Sequence, residues 1–192
     1  MITPPFPPNE AERIKALHDL LILDTEPENR FDAQTVYCQA HFGVEFALVS
    51  LVDTDRQWFK SACGLDAKQT PRDISFCGHA ILRDEVMVVR NALEDDRFHD
   101  NPLVIGPPFI RFYAGAPLRL SSGHLVGTLC LIDSKQRNLT DDDQKHLAIL
   151  SHAVSMELEN QGRIKDCTGY CLYGVLPQEC PYKDTKYELP ET

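Results

Sequence analysis

The strongest alternation of apolar and polar residues lies in residues 111–133, where two apolar runs flank Ser122-Gly123. A Ser-Gly pair between two alternating runs is typical of a tight hairpin turn. We therefore predict a central β-hairpin. Pairing the two strands outward from this turn places Gly115 opposite Cys130.

The two faces of this hairpin differ in chemistry, because successive side chains of a strand point to opposite sides of the sheet. One face is apolar and is expected to join the core: Phe112, Ala114, Ala116, Leu118, Leu120, Leu125, Leu129 and Leu131. The other face mixes small, polar and cationic side chains: Arg111, Tyr113, Gly115, Pro117, Arg119, Val126, Thr128, Cys130 and Ile132. Because Gly115 leaves room and polar groups can orient a ligand, this second face is suited to floor a small-molecule pocket. The alternative is an ordinary half-polar face covered by loops.

Helical periodicity marks the beginning of the chain. Residues 1–8 are rich in proline and predict an extended arm. From Asn9, apolar residues recur at helical spacing and predict a helix that ends near Asp24. A second helical pattern over residues 31–43 has Gly43 as its stop.

The last long helix is predicted to begin at the capping-box variant of residues 140–143 and to run to about Lys165. Its apolar stripe faces the sheet: Leu147, Leu150, Val154 and Leu158. Three apolar residues lie off this stripe: Ile149, Met156 and Ile164. Apolar residues on a second helix face favour pairing with a symmetry-related copy, so we expect a homodimer through the terminal helices. The alternative is a monomer with scattered exposed apolar residues.

Two further strands are predicted upstream of the hairpin. Residues 46–52 form an apolar run typical of a strand buried on both faces, and residues 57–63 return beside it after a turn. Trp58 and Phe59 point to opposite faces of that second strand, so one of them can join the core while the other lines the second face.

Between these strands and the hairpin, the chain predicts short elements joined by loops. Residues 65–73 are interpreted as a loop, Ser75 as the cap of a short helix, and residues 86–89 as a short strand. Residues 94–109 predict a long connection with one possible helical turn, and a connection of this length is often functional. The order of the elements indicates an α+β fold with an antiparallel sheet.

Composition and charge argue against some classes of binding partner. Hydrophobic residues make up 43% and charged residues 25% of the 192 residues, as expected for one globular domain with extensions. A net charge of −10 without a basic run disfavours nucleic acid as a partner. Neither a run long enough to span a bilayer nor a signal-peptide pattern is present, so we expect a cytoplasmic protein with no membrane partner.

The seven cysteines are an odd number, which argues against a disulfide framework. Four lie in apolar or strand-like segments, where a free cysteine behaves as a small buried hydrophobic residue: Cys38, Cys63, Cys77 and Cys130. The other three lie in a tail over residues 166–192, at spacings unlike those of zinc sites: Cys167, Cys171 and Cys180. We expect neither a metal ion nor another cofactor.

The sequence SFCGHA at residues 75–80 carries the most suggestive chemistry. A cysteine near a helix N-terminus favours the thiolate, and a nearby histidine invites a Cys/His pair. However, Cys77 and His79 diverge by roughly 200° around a helix axis, which disfavours a catalytic pair. The backbone amides of this turn are instead suited to an anionic or carbonyl group, with support from Arg72 or Arg111. The alternative is that the capping serine alone satisfies these amides.

The long loop also contains potential metal ligands: Asp95, Asp96, His99 and Asp100. Their spacing fits no metal site, so we interpret this segment as a solvated acidic loop.

Several motifs, in order, resemble the GAF domain family, specifically the bacterial sensory GAF domains found alone or beside histidine kinase and diguanylate cyclase modules. The resemblance covers roughly residues 9–160, within a domain expected to span residues 9–165. It rests on NEAERIKALHDLLILDTEPENRFD, ALVSLVDTDRQWFKS, TPRDISFCGHAI, DDRFHDNPLV and IRFYAGAPLRLSSGHLVGTLCLID. It implies an antiparallel sheet of about six strands, with terminal helices on one face and a pocket beside the short helix and long loops on the other. It also implies a binding and signalling role. Since residues 166–192 are too few for an output domain, we expect a separate signalling partner or signalling by dimerisation.

One enzymatic branch of this family, the free methionine-(R)-sulfoxide reductases, uses clustered cysteines in the pocket. Cys77 stands roughly where that branch has one of its cysteines, but no cysteine occupies residues 113–115, where its nucleophile would fall. We therefore expect no catalysis. A thiol enzyme that uses Cys77 with Cys63 or Cys130 stays as one alternative, and a ligand-free protein-interaction module as another.

The leading hypothesis is a sensory module whose small-molecule ligand is not identified and whose pocket is covered by residues 94–109. The side chains expected to bind the ligand are Trp58, Ser75, Phe76, Cys77, His79, Asp100, Asn101, Arg111, Tyr113, Thr128 and Cys130.

Overall fold

A computed structural model describes residues 1–160 as an α+β fold built on one six-stranded antiparallel sheet. The strands are β1 (Phe46–Val52), β2 (Arg56–Cys63), β3 (Gln69–Pro71), β4 (Met87–Val89), β5 (Phe112–Arg119) and β6 (Leu125–Asp133), and the helices are α1 (Glu10–Asp19), α2 (Asn29–Phe42), α3 (Phe76–Ala80), α4 (Pro102–Ile105) and α5 (Asp141–Glu159). The strand order is β3-β2-β1-β6-β5-β4. The predicted fold class is confirmed. Within the described residues, no helix is both long and apolar enough to cross a membrane.

The central hairpin has the predicted pairing over most of its length, with Gly115 opposite Cys130. Near the turn a β-bulge intervenes, and Arg119 pairs with Leu125 instead of Val126. The bulge reverses the alternation at that point, since an extra residue changes which side the next side chain faces. Val126 therefore packs in the core to which Leu125 was assigned, and Leu125 packs against the opposite face.

The three longer helices cover one face of the sheet. Their buried side chains share a core cluster with the strands, including Leu17 of α1, Phe31 of α2 and Leu147 of α5. Two predicted helix signals are present in the structure. Gly43 ends α2 in the left-handed conformation, with φ of 61°. Thr140 and Asp143 exchange hydrogen bonds at the start of α5, with Thr140 Oγ1 donating over 2.6 Å.

The other face of the sheet is covered by short elements and by the proline-rich arm. Phe76 and Cys77 of α3 and Val104 of α4 pack in a second core cluster there. The arm crosses α3, where Pro4 lies so close to Gly78 that a Cβ at Gly78 would approach it to 2.8 Å.

Some element boundaries differ from the predictions. The first helix ends at Asp19 rather than near Asp24. The segment interpreted as the loop 65–73 contains β3, because its three residues pair along the edge of β2. The short helix ends at Ala80, and the possible helical turn in the long connection is α4. The continuation of α5 to Lys165, Ile164, and the tail cysteines Cys167, Cys171 and Cys180 lie outside the described residues.

Candidate functional site

A cavity of about 280 Å³ lies on the sheet face opposite the long helices. Strands β1, β2, β5 and β6 form its floor, α3 forms one wall, and the segments around β3 and after α4 form the others. The lining residues are Phe46, Leu48, Gln57, Phe59, Leu65, Ala67, Thr70, Phe76, Cys77, Leu103, Pro107, Pro108, Ile110, Tyr113 and Ile132. The cavity therefore lies beside the predicted short helix and beneath the long loop.

The cavity walls are mostly apolar, and none of the described residues that line it is Asp, Glu, Lys, Arg or His. Its polar groups are few. Gln57 Nε2 donates a hydrogen bond to Thr70 Oγ1 over 2.7 Å, and Ser75 Oγ donates one to Gln57 Oε1 over 2.7 Å. Since moving a charge into such walls without a partner is unfavourable by several kcal/mol or more, the cavity suits a neutral molecule.

Two thiols and three hydroxyls form a polar cluster at the back of the cavity. Cys77 Sγ lies 3.9 Å from Cys130 Sγ, and Tyr113 donates its hydroxyl to Cys77 Sγ over 3.4 Å. Ser50 and Thr128 are cross-strand partners, and their buried hydroxyls have no hydrogen-bond partner among the described residues. The cluster combines a sulfur that reaches the cavity with donors that have no other acceptor.

The two thiols of this cluster differ in acidity. Burial raises the pKa of Cys77, but the neighbouring Cys130, Thr128, Tyr113 and Ser50 can donate hydrogen bonds to its thiolate form, and this outweighs burial and lowers the pKa to about 6. Hydrogen bonding to Cys77 and burial together raise the pKa of Cys130 well above its ordinary value. Of the two thiols, Cys77 therefore has the lower pKa, and Cys130 keeps its proton to a higher pH.

Gly115 does not open the pocket as expected. Its missing side chain is replaced by the phenol of Tyr113, because a Cβ at Gly115 would collide with the Tyr113 hydroxyl. Tyr113 is fully buried, and its ring lies 5.2 Å from the ring of Phe76. The Tyr113 ring thus fills the space that the glycine leaves above β5. The cavity lies further toward β1 and β2.

The structure corrects the expectation for Trp58. Trp58 packs in the helix-side core, whereas its neighbour Phe59 lines the cavity. Their opposite orientation is as predicted. The alternation does not say which of the two side chains faces the helices, so the sequence left that choice open.

Of the other predicted residues, only some approach the cavity. Phe76, Cys77 and Tyr113 line it, while Thr128 and Cys130 are fully buried and do not. Ser75 accepts the Gly78 amide over 2.8 Å and so caps α3, which is the alternative that the sequence left open for that turn.

The remaining four predicted residues have structural partners outside the cavity lining. His79 Nε2 lies 2.9 Å from the Ile2 carbonyl, and Asp100 pairs with the N-terminal amine. Asn101 caps α4 and donates to the Ile74 carbonyl over 2.9 Å. Arg111 donates to three carbonyls of its own loop. These contacts stabilise the cover of the cavity.

The structure also shows which of the other candidate reactive residues lie close together. Cys63 pairs across the strands with Ala47, whose side chain packs on the helix side of the sheet. The Cys63 thiol donates a hydrogen bond to Gln39 of α2 over 3.1 Å. The sheet thus separates Cys63 from Cys77, which corrects the suggested pairing of these two thiols. Cys77 contacts Cys130 rather than His79. Within residues 1–160, no group of three or more His, Cys, Asp or Glu side chains is placed to hold a metal ion.

Sequence reasoning missed most of the cavity lining. Gln57 and Thr70 come together through the pairing of β2 with β3, a strand of three residues that ends in proline and has no alternation to reveal it. Leu65 and Ala67 precede that strand, and Pro107 and Pro108 follow α4. Alternation on β1, which is buried on both faces, gave no sign that Leu48 faces the cavity.

Comparison with known proteins agrees with this architecture. A family model described as GAF domain matches residues 26–158. A cyclic di-GMP phosphodiesterase of Pseudomonas aeruginosa is 40% identical over 173 residues, which are 88% of this chain and 30% of that protein. The chain therefore spans less than a third of that relative's length.

Solved structures with this fold include proteins of different activity. A free methionine-R-sulfoxide reductase from Neisseria meningitidis, in complex with its substrate, has a TM-score of 0.60 at 16% identity, covering 80% of this chain and 90% of that chain. The GAF domain of an Acinetobacter phosphoenolpyruvate-protein phosphotransferase has a TM-score of 0.58 at 14% identity, covering 81% and 98%. At these identities the likeness shows the fold alone.

Proposed function

The chain belongs to the GAF domain family, and on that premise we propose that it is a sensory and regulatory module that binds a small neutral molecule in the cavity beside α3. The observation that carries this proposal is the cavity itself, whose walls are apolar and whose polar groups are few. Small-molecule sites have this character, with a few placed polar groups that fix the ligand's orientation. The open cavity also argues against the alternative of a ligand-free interaction module.

The name of the Pseudomonas relative suggests a role in cyclic di-GMP signalling, but not cyclic di-GMP as the ligand of this cavity. A cyclic dinucleotide carries two phosphate charges, and no lysine or arginine is among the described residues that line the cavity. We place this chain on the regulatory side of such a system, where binding of another molecule controls an enzyme.

The sheet offers a route by which binding reaches the long helices. Leu48 and Ile132 line the cavity, and the neighbouring Val49 and Leu131 pack in the helix-side core. A change at the cavity floor thus acts on strands that also carry the packing of α5. Ile149 and Met156 on α5 are 67% and 53% exposed, and we propose that they form a homodimer contact through which the signal passes.

The test uses indole as a neutral aromatic probe and cyclic di-GMP as a charged one. Indole is expected to raise the melting temperature of the protein, since a ligand at 100 times its Kd stabilises by about 2.7 kcal/mol. Ala67→Phe fills the cavity and is expected to abolish the shift, whereas Ala11→Phe, on the exposed side of α1, leaves it intact. A shift with cyclic di-GMP that Ala67→Phe removes would overturn the proposed ligand chemistry.

A second candidate function is thiol-dependent reduction of a sulfoxide, which is favoured by the 3.9 Å separation of Cys77 and Cys130. Each turnover would convert one sulfoxide to a sulfide, oxidise the two thiols to a disulfide and release one water. Thioredoxin-coupled consumption of a neutral sulfoxide, methyl phenyl sulfoxide, that disappears in Cys77→Ser would establish it. Without such turnover the regulatory proposal stands alone.

A further inference from the structure

The cysteine pair is built like a site of covalent modification. Cys77 lies in the cavity wall on α3, and Cys130 lies behind it on β6, with 3.9 Å between the sulfurs. A disulfide needs about 2.05 Å between them, so closure brings the sulfurs roughly 2 Å closer. Cys77 lies on α3, a helix of five residues, so closure requires a shift of this short element toward β6.

The surroundings of Cys77 favour its thiolate. Three hydroxyls, those of Tyr113, Ser50 and Thr128, surround the sulfurs. Ser50 and Thr128 are buried in the sheet without another partner, and a buried hydroxyl with no acceptor is unfavourable by about 1 to 3 kcal/mol. A thiolate at Cys77 provides the acceptor that both hydroxyls lack.

From this arrangement we propose that Cys77 and Cys130 form a peroxide-sensing disulfide, which closes when a small organic hydroperoxide enters the cavity and meets the Cys77 sulfur. The inference rests on the proposed function to the extent that the oxidant must enter the same cavity. Beyond ligand binding, the inference adds a covalent, reversible modification of the protein. Unlike catalysis, this modification needs no repeated turnover. Apolar walls admit a neutral organic hydroperoxide and exclude charged oxidants.

The chemistry balances in two steps. The Cys77 thiolate attacks the terminal oxygen of the hydroperoxide, the O–O bond breaks, and an alcohol leaves once its oxygen is protonated, so that Cys77 becomes a sulfenic acid. The Cys130 sulfur then attacks the Cys77 sulfur, and the sulfenic oxygen leaves as water with the proton of the Cys130 thiol. In total, two thiols are oxidised to one disulfide and one hydroperoxide is reduced to one alcohol and water. An external dithiol reverses the change.

The other described cysteines provide matched controls. Burial raises the pKa of Cys38 to about 12, so its thiol is inert at neutral pH. Cys63 is half-buried on the helix side of the sheet and contacts Gln39. Oxidation specific to the cavity should therefore leave both unchanged.

The experiment treats the reduced protein with one equivalent of cumene hydroperoxide and maps disulfides by peptide mass spectrometry. We expect a Cys77–Cys130 crosslink that dithiothreitol reverses, that Cys63→Ser retains and that Cys77→Ser loses. In Cys130→Ser, Cys77 should stop at the sulfenic acid and be trapped by dimedone, which tests the order of the two steps. Ala67→Phe should slow the reaction about tenfold or more relative to Ala11→Phe.

Cumyl alcohol, which has the same shape but no peroxide bond, separates this inference from the proposed function. If the alcohol raises the melting temperature and the hydroperoxide gives no Cys77–Cys130 crosslink, the sensing disulfide is wrong while the ligand-binding module stands. A crosslink that forms at the same rate in Ala67→Phe would also overturn the inference, since the oxidant would then bypass the cavity. If neither molecule acts on the protein, both proposals fail.

Discussion

The phenol of Tyr113 occupies the place that a side chain at Gly115 would take, two residues further along the same face of β5. Gly115→Ala should therefore displace the ring and destabilise the protein by about 1 to 3 kcal/mol, as overpacking of a core does. Tyr113→Phe removes only the hydroxyl and should be milder, at about 1 kcal/mol. Because the Cζ and Cε1 atoms of the ring, which Phe keeps, would also lie within 2.8 Å of that Cβ, the coupling is tested with Tyr113→Ala. Combined with Gly115→Ala, it should destabilise the protein by less than the sum of the two single variants in denaturant unfolding. Strict additivity would show that the two residues do not share this space.

The same tyrosine influences the acidity of Cys77. Since the pKa of Cys77 lies at about 6, its alkylation by iodoacetamide should rise with a midpoint near pH 6 rather than near 9. The titratable groups that face it are Tyr113 and Cys130, whose pKa values are both raised, so neither ionises in this range. Tyr113→Phe should shift the midpoint upward. A midpoint near 9 in the unaltered protein would contradict the assignment of the lower pKa to Cys77.

The stability linked to Cys77 has a defined sign. A thiol whose pKa is lower in the folded state stabilises the fold fully above its unfolded pKa, and this contribution is lost as the pH falls. The free energy of unfolding, relative to Cys77→Ser, should therefore grow as the pH rises from 6 toward 9. Urea titrations of the unaltered protein and of Cys77→Ser across that range check it. A difference that stays constant with pH would count against the lowered pKa.

Glu10 joins two buried arginines at the start of α1. Its carboxylate accepts hydrogen bonds from Arg13 over 2.8 Å and from Arg72 over 2.5 Å. Partial burial raises the pKa of Glu10, but these hydrogen bonds outweigh it and lower the pKa to about 2. The stabilisation is therefore present above the unfolded value of 4.5 and is lost as the pH falls toward 2.

Glu10→Gln should accordingly lower the free energy of unfolding by about 1 to 2 kcal/mol at neutral pH, an amount reduced by solvent screening of a partly exposed group. Its stability should also depend less on pH between 4.5 and 2. Glu12→Gln, at an exposed position of the same helix, is the matched control and should leave the free energy of unfolding at neutral pH unchanged. Equal effects of the two substitutions would show that helix charge, rather than the arginine contacts, is responsible.

The parts of the fold that could be predicted are those with local signals. The pairing of Gly115 with Cys130 followed from the alternation of the hairpin and its Ser-Gly turn. The bulge at Val126 could not be predicted in the same way. It adjoins Gly127, where a Cβ would collide with the Ser50 carbonyl of β1, and this contact between distant segments leaves no periodic trace in the sequence.

The candidate site was predictable only as a region. Helix capping placed Cys77 correctly on α3, and the face of the hairpin that holds Tyr113 was identified by its composition. The position of the cavity depends on where Tyr113 directs its ring and on how the segments around Ala67 and Pro107 meet above the sheet. Side-chain direction and loop placement are decided by packing between distant residues, which alternation and spacing do not encode.

The last prediction concerns the exposed face of α5. Ile149 and Met156 lie seven residues apart on one side of the helix, and both are more than half exposed, while Leu147, Val154 and Leu158 are fully buried. Apolar side chains in such positions favour burial against a second copy, so light scattering at micromolar concentration should give twice the mass of one chain. Met156→Glu should halve that mass, because it brings two like charges to a symmetric contact. Leu93→Glu, a comparable change at a residue that is 47% exposed and outside the long helices, should leave the dimer intact. A single-chain mass in the unaltered protein would eliminate the dimer, and signalling would then require a different partner for α5.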